Sequence, residues 1–227
     1  MDNQKIRLNK YLAERLGVSR READDLIAAG KVSVNGSAAI LGAKIDKNDK
    51  VCYNKKIVPF QTEFSYLAFN KPVGYVCSRR AQGSTPTLYN LLPTKYQKLK
   101  TVGRLDKDTS GLILLTNDGD FAFQMTHPKF HKEKVYEVEL NKPLEPLHQQ
   151  MISDYGVMLD DGPSKFTVVR RCSGSPDYIV TLSEGRNRQI RRTFAALGYK
   201  VIKLHRTQFG KYQLNGLAPG EFTEFKI

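Results

Sequence analysis

The spacing of strand-like runs across residues 66–204 constrains this chain more than any other feature. Runs rich in β-branched, aromatic and aliphatic side chains recur at Tyr66–Asn70, Tyr75–Ser78, Leu112–Thr116, Val135–Leu140, Phe166–Arg170, Tyr178–Leu182 and Val201–Leu204. Helical patterns intervene near 86–92, 119–126, 144–153 and 188–197. Parallel neighbours need a crossover of about a dozen residues or more, usually a helix, and several consecutive runs lack one. The pattern therefore predicts an α+β domain with a mixed, mainly antiparallel sheet.

Residues 1–60 read differently. Leu8, Tyr11, Leu12, Arg15 and Leu16 follow helical spacing until Gly17 stops them. Ser19 opens a second helix, with Glu22 three residues on as a capping box. Ala23, Leu26 and Ile27 supply its inner face and Gly30 ends it. Lys31–Val34 then reads as a strand, and Asn35-Gly36 signals a hairpin. Arg7, Lys10, Arg20, Arg21 and Lys31 fall outside the apolar pattern and are expected to form one basic surface. Residues 54–65 carry a Pro and no clean period, so the linker is placed there, dividing the chain into 1–60 and 61–227.

Charge narrows the partners. With 36 Lys plus Arg against 23 Asp plus Glu the chain carries +13, which points to a polyanion, nucleic acid ahead of anionic lipid. Residues 1–60 hold +5 of that surplus. No apolar run approaches the roughly 20 residues that cross a membrane, and MDNQKIRLNK lacks the apolar stretch of a signal peptide. Cys52, Cys77 and Cys172 are odd in number and widely spaced, which argues against a disulfide scaffold and for a reducing cytoplasm. His127 and His131 lack a nearby Glu or Cys and carry Pro128 between them, so no metal site is expected. Phosphate-loop, dinucleotide and serine-hydrolase fingerprints do not occur.

Two short helices, a tight turn and Gly30-Lys-Val-Ser-Val-Asn-Gly36 resemble the S4 RNA-binding domain, over about 50 residues.

The segment most informative about chemistry is Gly103-Arg-Leu-Asp-Lys-Asp-Thr-Ser-Gly-Leu-Ile-Leu-Leu-Thr116, a polar loop bracketed by glycines and running into a buried strand. Several chemistries compete for its carboxylates. A calcium loop would use Asp106, Asp108 and Ser110, but its twelfth position is Asn117 instead of the bidentate Glu. A phosphotransferase aspartate in Asp106-Lys-Asp108-Thr109 wants an apolar strand before it, where Thr-Val-Gly-Arg-Leu stands. A glycosidase-like pair is open, with nothing to set the separation of the carboxylates. A plain Asp-stabilised turn is open too. The remaining reading is one nucleophilic Asp106 flanked by Arg104.

The stretch resembles the signature of the pseudouridine synthases, specifically the S4-carrying bacterial branch that modifies ribosomal RNA. Further matches follow in order: Lys71-Pro72-x-Gly74, His127-Pro128, Lys134-x-Tyr136, Glu184-Gly-Arg-Asn-Arg-Gln-Ile-Arg-Arg192 and Leu217-x-Pro-Gly220. The resemblance implies isomerisation of uridine to pseudouridine by one essential aspartate, with neither metal nor organic cofactor. It assigns Asp106 as that aspartate and Tyr136 to the target uracil. Arg104 fills the space left by a flipped uridine, and Lys71 and Pro72 support the floor of the site. On a 188–197 helix at about 100° per residue, Arg191 sits at the edge of the Ile190, Phe194 and Leu197 face. It is the expected ion-pair partner of Asp106, while Arg188 and Arg192 project to the opposite side. Arg186, Arg188, Arg192, Lys200, Lys203 and Arg206 read as phosphate contacts.

The expected partner is ribosomal RNA or a ribosome-assembly intermediate, met by a monomer. The alternative is a non-catalytic RNA-binding or assembly factor that keeps the fold. Lys71–Ser78 looks like the small-subunit enzymes, whereas 184–192 and Asp160-Asp-Gly-Pro163 look like the large-subunit ones.

Overall fold

The computed structural model describes residues 5–60, 63–79 and 83–227. It divides into two compact units, Met1–Ser65 with Asn117–Gly119, and Tyr66–Thr116 with Asp120–Ile227. Among the described residues no helix is long and apolar enough to cross a membrane.

In the first unit, β1 (Ile6–Arg7) leads into α1 (Leu8–Arg15) and α2 (Arg20–Ala28). Four short strands follow, β2 (Val32–Val34), β3 (Ser37–Ala38), β5 (Val51–Tyr53) and β6 (Lys56–Ile57), paired in the order β3-β2-β5-β6, while β4 (Lys44–Ile45) pairs with β1. Both halves of the capping box form. Glu22 N donates to Ser19 Oγ at 3.1 Å, and Ser19 N donates to Glu22 Oε2 at 2.7 Å. Asn35 and Gly36 both take positive φ, which a two-residue hairpin turn of the favoured hand requires. Leu8, Tyr11, Leu12, Ala23 and Ile27 close a small core, and the Tyr11 hydroxyl donates to Val58 O at 2.6 Å. The expected linker begins too early. Residues 51–57 are the β5–β6 hairpin, turned by Asn54 and Lys55 at φ 47° and 65°. Lysine is an uncommon residue for a positive φ, so the turn gave no signal.

The second unit is built on a nine-stranded sheet. Its elements are β7 (Tyr66–Lys71), β8 (Lys100–Val102), β9 (Ser110–Thr116), α3 (Gly119–Thr126), β10 (Lys134–Leu140), α4 (Pro146–Gln150), β11 (Val157–Leu159), β12 (Gly162–Ser164), β13 (Thr167–Arg170), β14 (Asp177–Leu182), α5 (Gln189–Ala196), β15 (Val201–Phe209), β16 (Tyr212–Gln213) and β17 (Phe222–Glu224). The strand order is β13-β14-β10-β15-β9-β7-β17, with β16 on β15 and β8 on β9. Pairings within it are antiparallel except β15 with β9, which run parallel at His205↔Ser110 and Arg206↔Gly111. One face of the sheet packs on α5 and the segment around 88–99, burying Phe69, Ile113, Val138, Val180, Ile190 and Phe194.

Three expected elements change character. Tyr75–Ser78 is no strand: Gly74 takes φ +90° and only Val76 bridges, to Thr87. The helix near 86–92 is a short 3-10 turn, Leu88–Leu91. The helix at 144–153 is one turn, α4, running into a π-helical turn at Met151–Tyr155. The first lies too close to Pro72 and Gly74 to extend, and the other two are too short for periodicity to settle their type.

Candidate active site

The loop 103–109 joins β8 to β9 and is pinned from below at several points. Lys71 is fully buried, and its Nζ donates to Pro72 O and Thr109 O, both at 2.8 Å. Burial pushes its pKa down. Gly74 N donates to Lys107 O at 2.8 Å, and Cys77 Sγ meets both backbone groups of Leu105. Burial raises the Cys77 thiol, leaving it a weak donor to structure. Gly111 lies so close to β15 that a Cβ there would fall 2.5 Å from Arg206 N.

The loop forms one wall of a cleft of about 390 Å³, within the range of sites that hold one small ligand. Arg104, Asp106, Lys134, Tyr136, Arg188 and Arg206 are among its lining residues. Tyr136 projects from β10 on the core face, 8% exposed. Asp106 keeps 36% of its side chain exposed, with Oδ2 3.6 Å from Arg188 Nη1.

The arginines are arranged differently from expectation. Arg191 does not pair with Asp106. Its Nε lies 3.2 Å from Asp108 Oδ2, its Nη2 donates to Asp108 O at 2.8 Å and its Nη1 to Val201 O at 2.9 Å. Arg188 is the residue that reaches Asp106, and it also grips Asp108 with two bonds of 3.0 and 2.9 Å. The reason lies in the backbone: Arg188 caps α5 in a left-handed conformation, φ 46° and ψ 31°, so the helical projection that turned it toward solvent does not apply. The fork from Arg188, then the charge of Arg191, hold the Asp108 carboxyl below the usual range. Arg191 itself is 13% exposed in its side chain, and burial lowers its pKa. The second aspartate of Asp-x-Asp thus anchors both arginines, a role that sequence reasoning did not give it.

Other expected phosphate contacts are engaged with the protein. Arg192 forks onto Asp161 at 3.0 and 2.7 Å, and Arg186 reaches Asp161 Oδ1 at 2.9 Å. Arg186 also donates to the carbonyls of Asp161, Gly162 and Pro163, fixing the β11–β12 turn. Arg206 is 2% exposed and is no surface phosphate contact. Its alternation on β15 turns it inward, whereas Lys200 and Lys203 stay exposed. Arg104 is exposed at the cleft rim. Pro72 is half-buried beside Lys71, which holds its carbonyl. In the first unit Arg7, Arg20, Arg21 and Lys31 are exposed and Lys10 is half-buried.

Lys134, noted in the sequence only as a motif letter, also lines the cleft. Its Nζ donates to Lys132 O, Ser183 O and Glu184 O at 3.2–3.3 Å. Burial, with Arg206 adding to it, pulls its pKa down to about 8. Among the described residues no group of three or more His, Cys, Asp or Glu is placed to hold a metal ion.

Comparison with known proteins gives this geometry a family. Residues 65–196 match the RNA pseudouridylate synthase family, and residues 6–51 match the S4 domain. The ribosomal small subunit pseudouridine synthase A of Pasteurella multocida is 40% identical over 96% of this chain and 94% of its own. The ribosomal large subunit pseudouridine synthase B of Bacillus subtilis is 35% identical over 96% of this chain and 91% of its own. A crystal structure of a pseudouridylate synthase superposes with a TM-score of 0.70 at 33% identity, covering 97% of this chain and 96% of that one. This chain is a member of the RNA pseudouridylate synthase family that carries an S4 domain.

Proposed function

We propose that the protein converts a specific uridine of ribosomal RNA to pseudouridine, with Asp106 as the nucleophile. The observation that carries this reading is the placement of Asp106. It lies in the cleft that Tyr136 also lines, on a loop fixed by Lys71 and Cys77. Arg188 donates both its hydrogen bonds to the Asp108 carboxylate, and Arg191 donates to Asp108 O and Val201 O. Among the described residues the Asp106 carboxylate has one ion-pair contact, to Arg188 at 3.6 Å, and accepts no hydrogen bond, while Thr109 N donates to the Asp106 backbone carbonyl. A carboxylate left with free lone pairs in a ligand-sized cleft is equipped to attack.

The reaction replaces the N1–C1′ bond by a C5–C1′ bond, and the proton lost from C5 is balanced by one taken up at N1. Those atoms are out of reach in a stacked helix, so the uridine must leave the stack, and Arg104 at the rim is placed to enter the gap. Tyr136 then offers its ring to the extruded base. Residues 1–60 grip the RNA elsewhere. Arg20 and Arg21 open α2, where the helix dipole disfavours cations, so helix stability does not account for them. The substrate is ribosomal RNA or an assembling ribosomal particle, modified in the cytoplasm by a monomer.

Pseudouridines mapped in both ribosomal RNAs of a strain lacking the protein identify the target. Asp106→Asn is expected to abolish product on that RNA while binding persists. Product at the parental rate from the variant would remove Asp106 from the chemistry. Unaltered pseudouridine maps would favour the assembly-factor reading.

A further inference from the structure

Among the described residues, the cleft floor carries a cation, Arg206, with which no acidic side chain forms an ion pair. Arg206 is 2% exposed, its Nε donates to Leu112 O at 2.7 Å, and its Nη2 is enclosed without a hydrogen-bond partner. Among the described residues it forms no ion pair. Another cation, Lys134, feels its charge, and the two lie over the same ring, Phe209, at 4.9 and 5.3 Å from the centroid. The acidic Glu184 by Lys134 is already held by Gln189 and lies 3.6 Å from Arg186. Burying an unanswered guanidinium is strongly unfavourable. Ordinary folding would exchange it for an apolar side chain, so its place calls for an anion that the chain itself does not supply.

Position identifies that anion. Arg206 is the cross-strand partner of Tyr136 on one side and of Gly111 on the other, five residues after Asp106. It therefore lies on the floor between the tyrosine and the aspartate loop, beneath the space the base would occupy. Uracil is neutral in the ground state. When N1–C1′ breaks with its electron pair passing to N1, or when a carboxylate adds at C6, the ring gains a full negative charge spread over its carbonyl oxygens. The C1′ left electron-poor by that cleavage is held as an oxocarbenium ion or as an ester of the carboxylate until C5 attacks it. The ring charge is then consumed in the C5–C1′ bond, and any carboxylate on C6 is released. C5 gives up its proton and N1 takes one, so no net proton is gained or lost.

Resting on the pseudouridine reading, we propose that Arg206, with Lys134 beside it, is a catalytic residue that binds a uracil carbonyl oxygen and stabilises the anionic ring. The arrangement is that of an oxyanion hole, paid for in the free protein by an unpaired buried charge.

The test separates this role from a structural one. Arg206→Met removes a buried charge and keeps the volume, so its melting temperature is expected to equal or exceed the parent's. Its kcat on the mapped ribosomal RNA, followed by tritium release from [5-³H]uridine, is expected to fall about 10²–10³-fold. Its RNA affinity should stay within about threefold, because the interaction strengthens only as charge develops. Arg206→Lys should retain part of the rate. A folded Arg206→Met with kcat within threefold of the parent overturns the proposal.

Equilibrium dialysis of the intact protein against uracil, 5-fluorouracil and 5-nitrouracil keeps the question open to refutation should the variant not fold. Affinity should rise with the acidity of the base, and affinity that does not follow acidity refutes the role. A parent protein that makes no pseudouridine would defeat the functional reading itself, a result distinct from either of these.

Discussion

Gly111→Ala tests how the active-site loop is held. Gly111 takes φ +107°, a region where a side chain is strained, and its added Cβ would lie 2.5 Å from Arg206 N, 2.8 Å from Arg206 C and closer still to Arg206 O. All three atoms are backbone, so no side chain can swing away. To reach ordinary contact, β9 and β15 must part by about 1 Å, since non-bonded carbon contacts are comfortable at roughly 3.5 Å. That separation disrupts the parallel pairs His205↔Ser110 and Arg206↔Gly111. Two ladder hydrogen bonds at about 1 kcal/mol each, plus about 1–3 kcal/mol of backbone strain, give a loss of about 3–5 kcal/mol. For a unit of this size that is a fall in melting temperature of about 6–20 °C. Differential scanning calorimetry reads it as a lowered melting temperature. Gly174→Ala is the control. Its φ is +74° but nothing stands within 4 Å of a Cβ, so it should cost only about 1 kcal/mol. Gly111→Ala melting within about 2 °C of the parent, or no further down than Gly174→Ala, would refute the overlap argument.

Two further outcomes are expected. Lys134 has a folded pKa lowered from 10.5 to about 8, so above pH 8 the unfolded chain holds the extra proton and stability gains as pH rises from about 8 to 10.5. Lys134→Met should lack that gain, and urea midpoints of parent and variant that run parallel from pH 7 to 10 would show the lysine to be unburdened by burial. Replacing Arg20, Arg21 and Lys31 together by Ala should weaken RNA binding and flatten its salt dependence by roughly one unit of slope per lost phosphate contact. An unchanged slope on filter binding would remove those residues from the RNA face, whatever the effect on activity.

Much of the local structure was legible because it is encoded locally. Ser19 and Glu22 cap α2 across three residues, Asn35-Gly36 turns a hairpin on its own, and alternation places Tyr136 on the core face of β10. The strand spacing likewise carried the antiparallel character of the sheet. Short elements were misread where periodicity had too few residues to work with, as at 75–78 and 86–92.

By itself the sequence determined the α+β class, the Asp106 loop and the family it resembles, since these rest on patterns within a dozen or so neighbouring residues. Which cation meets which carboxylate was decided only by tertiary structure. Arg188 and Arg191 lie about 80 residues beyond Asp106 and Asp108, and one left-handed residue at the start of α5 redirects the first of them. The same holds for Arg206. In sequence it is one basic residue in a crowded run. The parallel pairing of β15 with β9 turns it into a buried charge on the cleft floor, because burial and the lack of an ion-pair partner among the described residues belong to the packed strands and not to any stretch of chain.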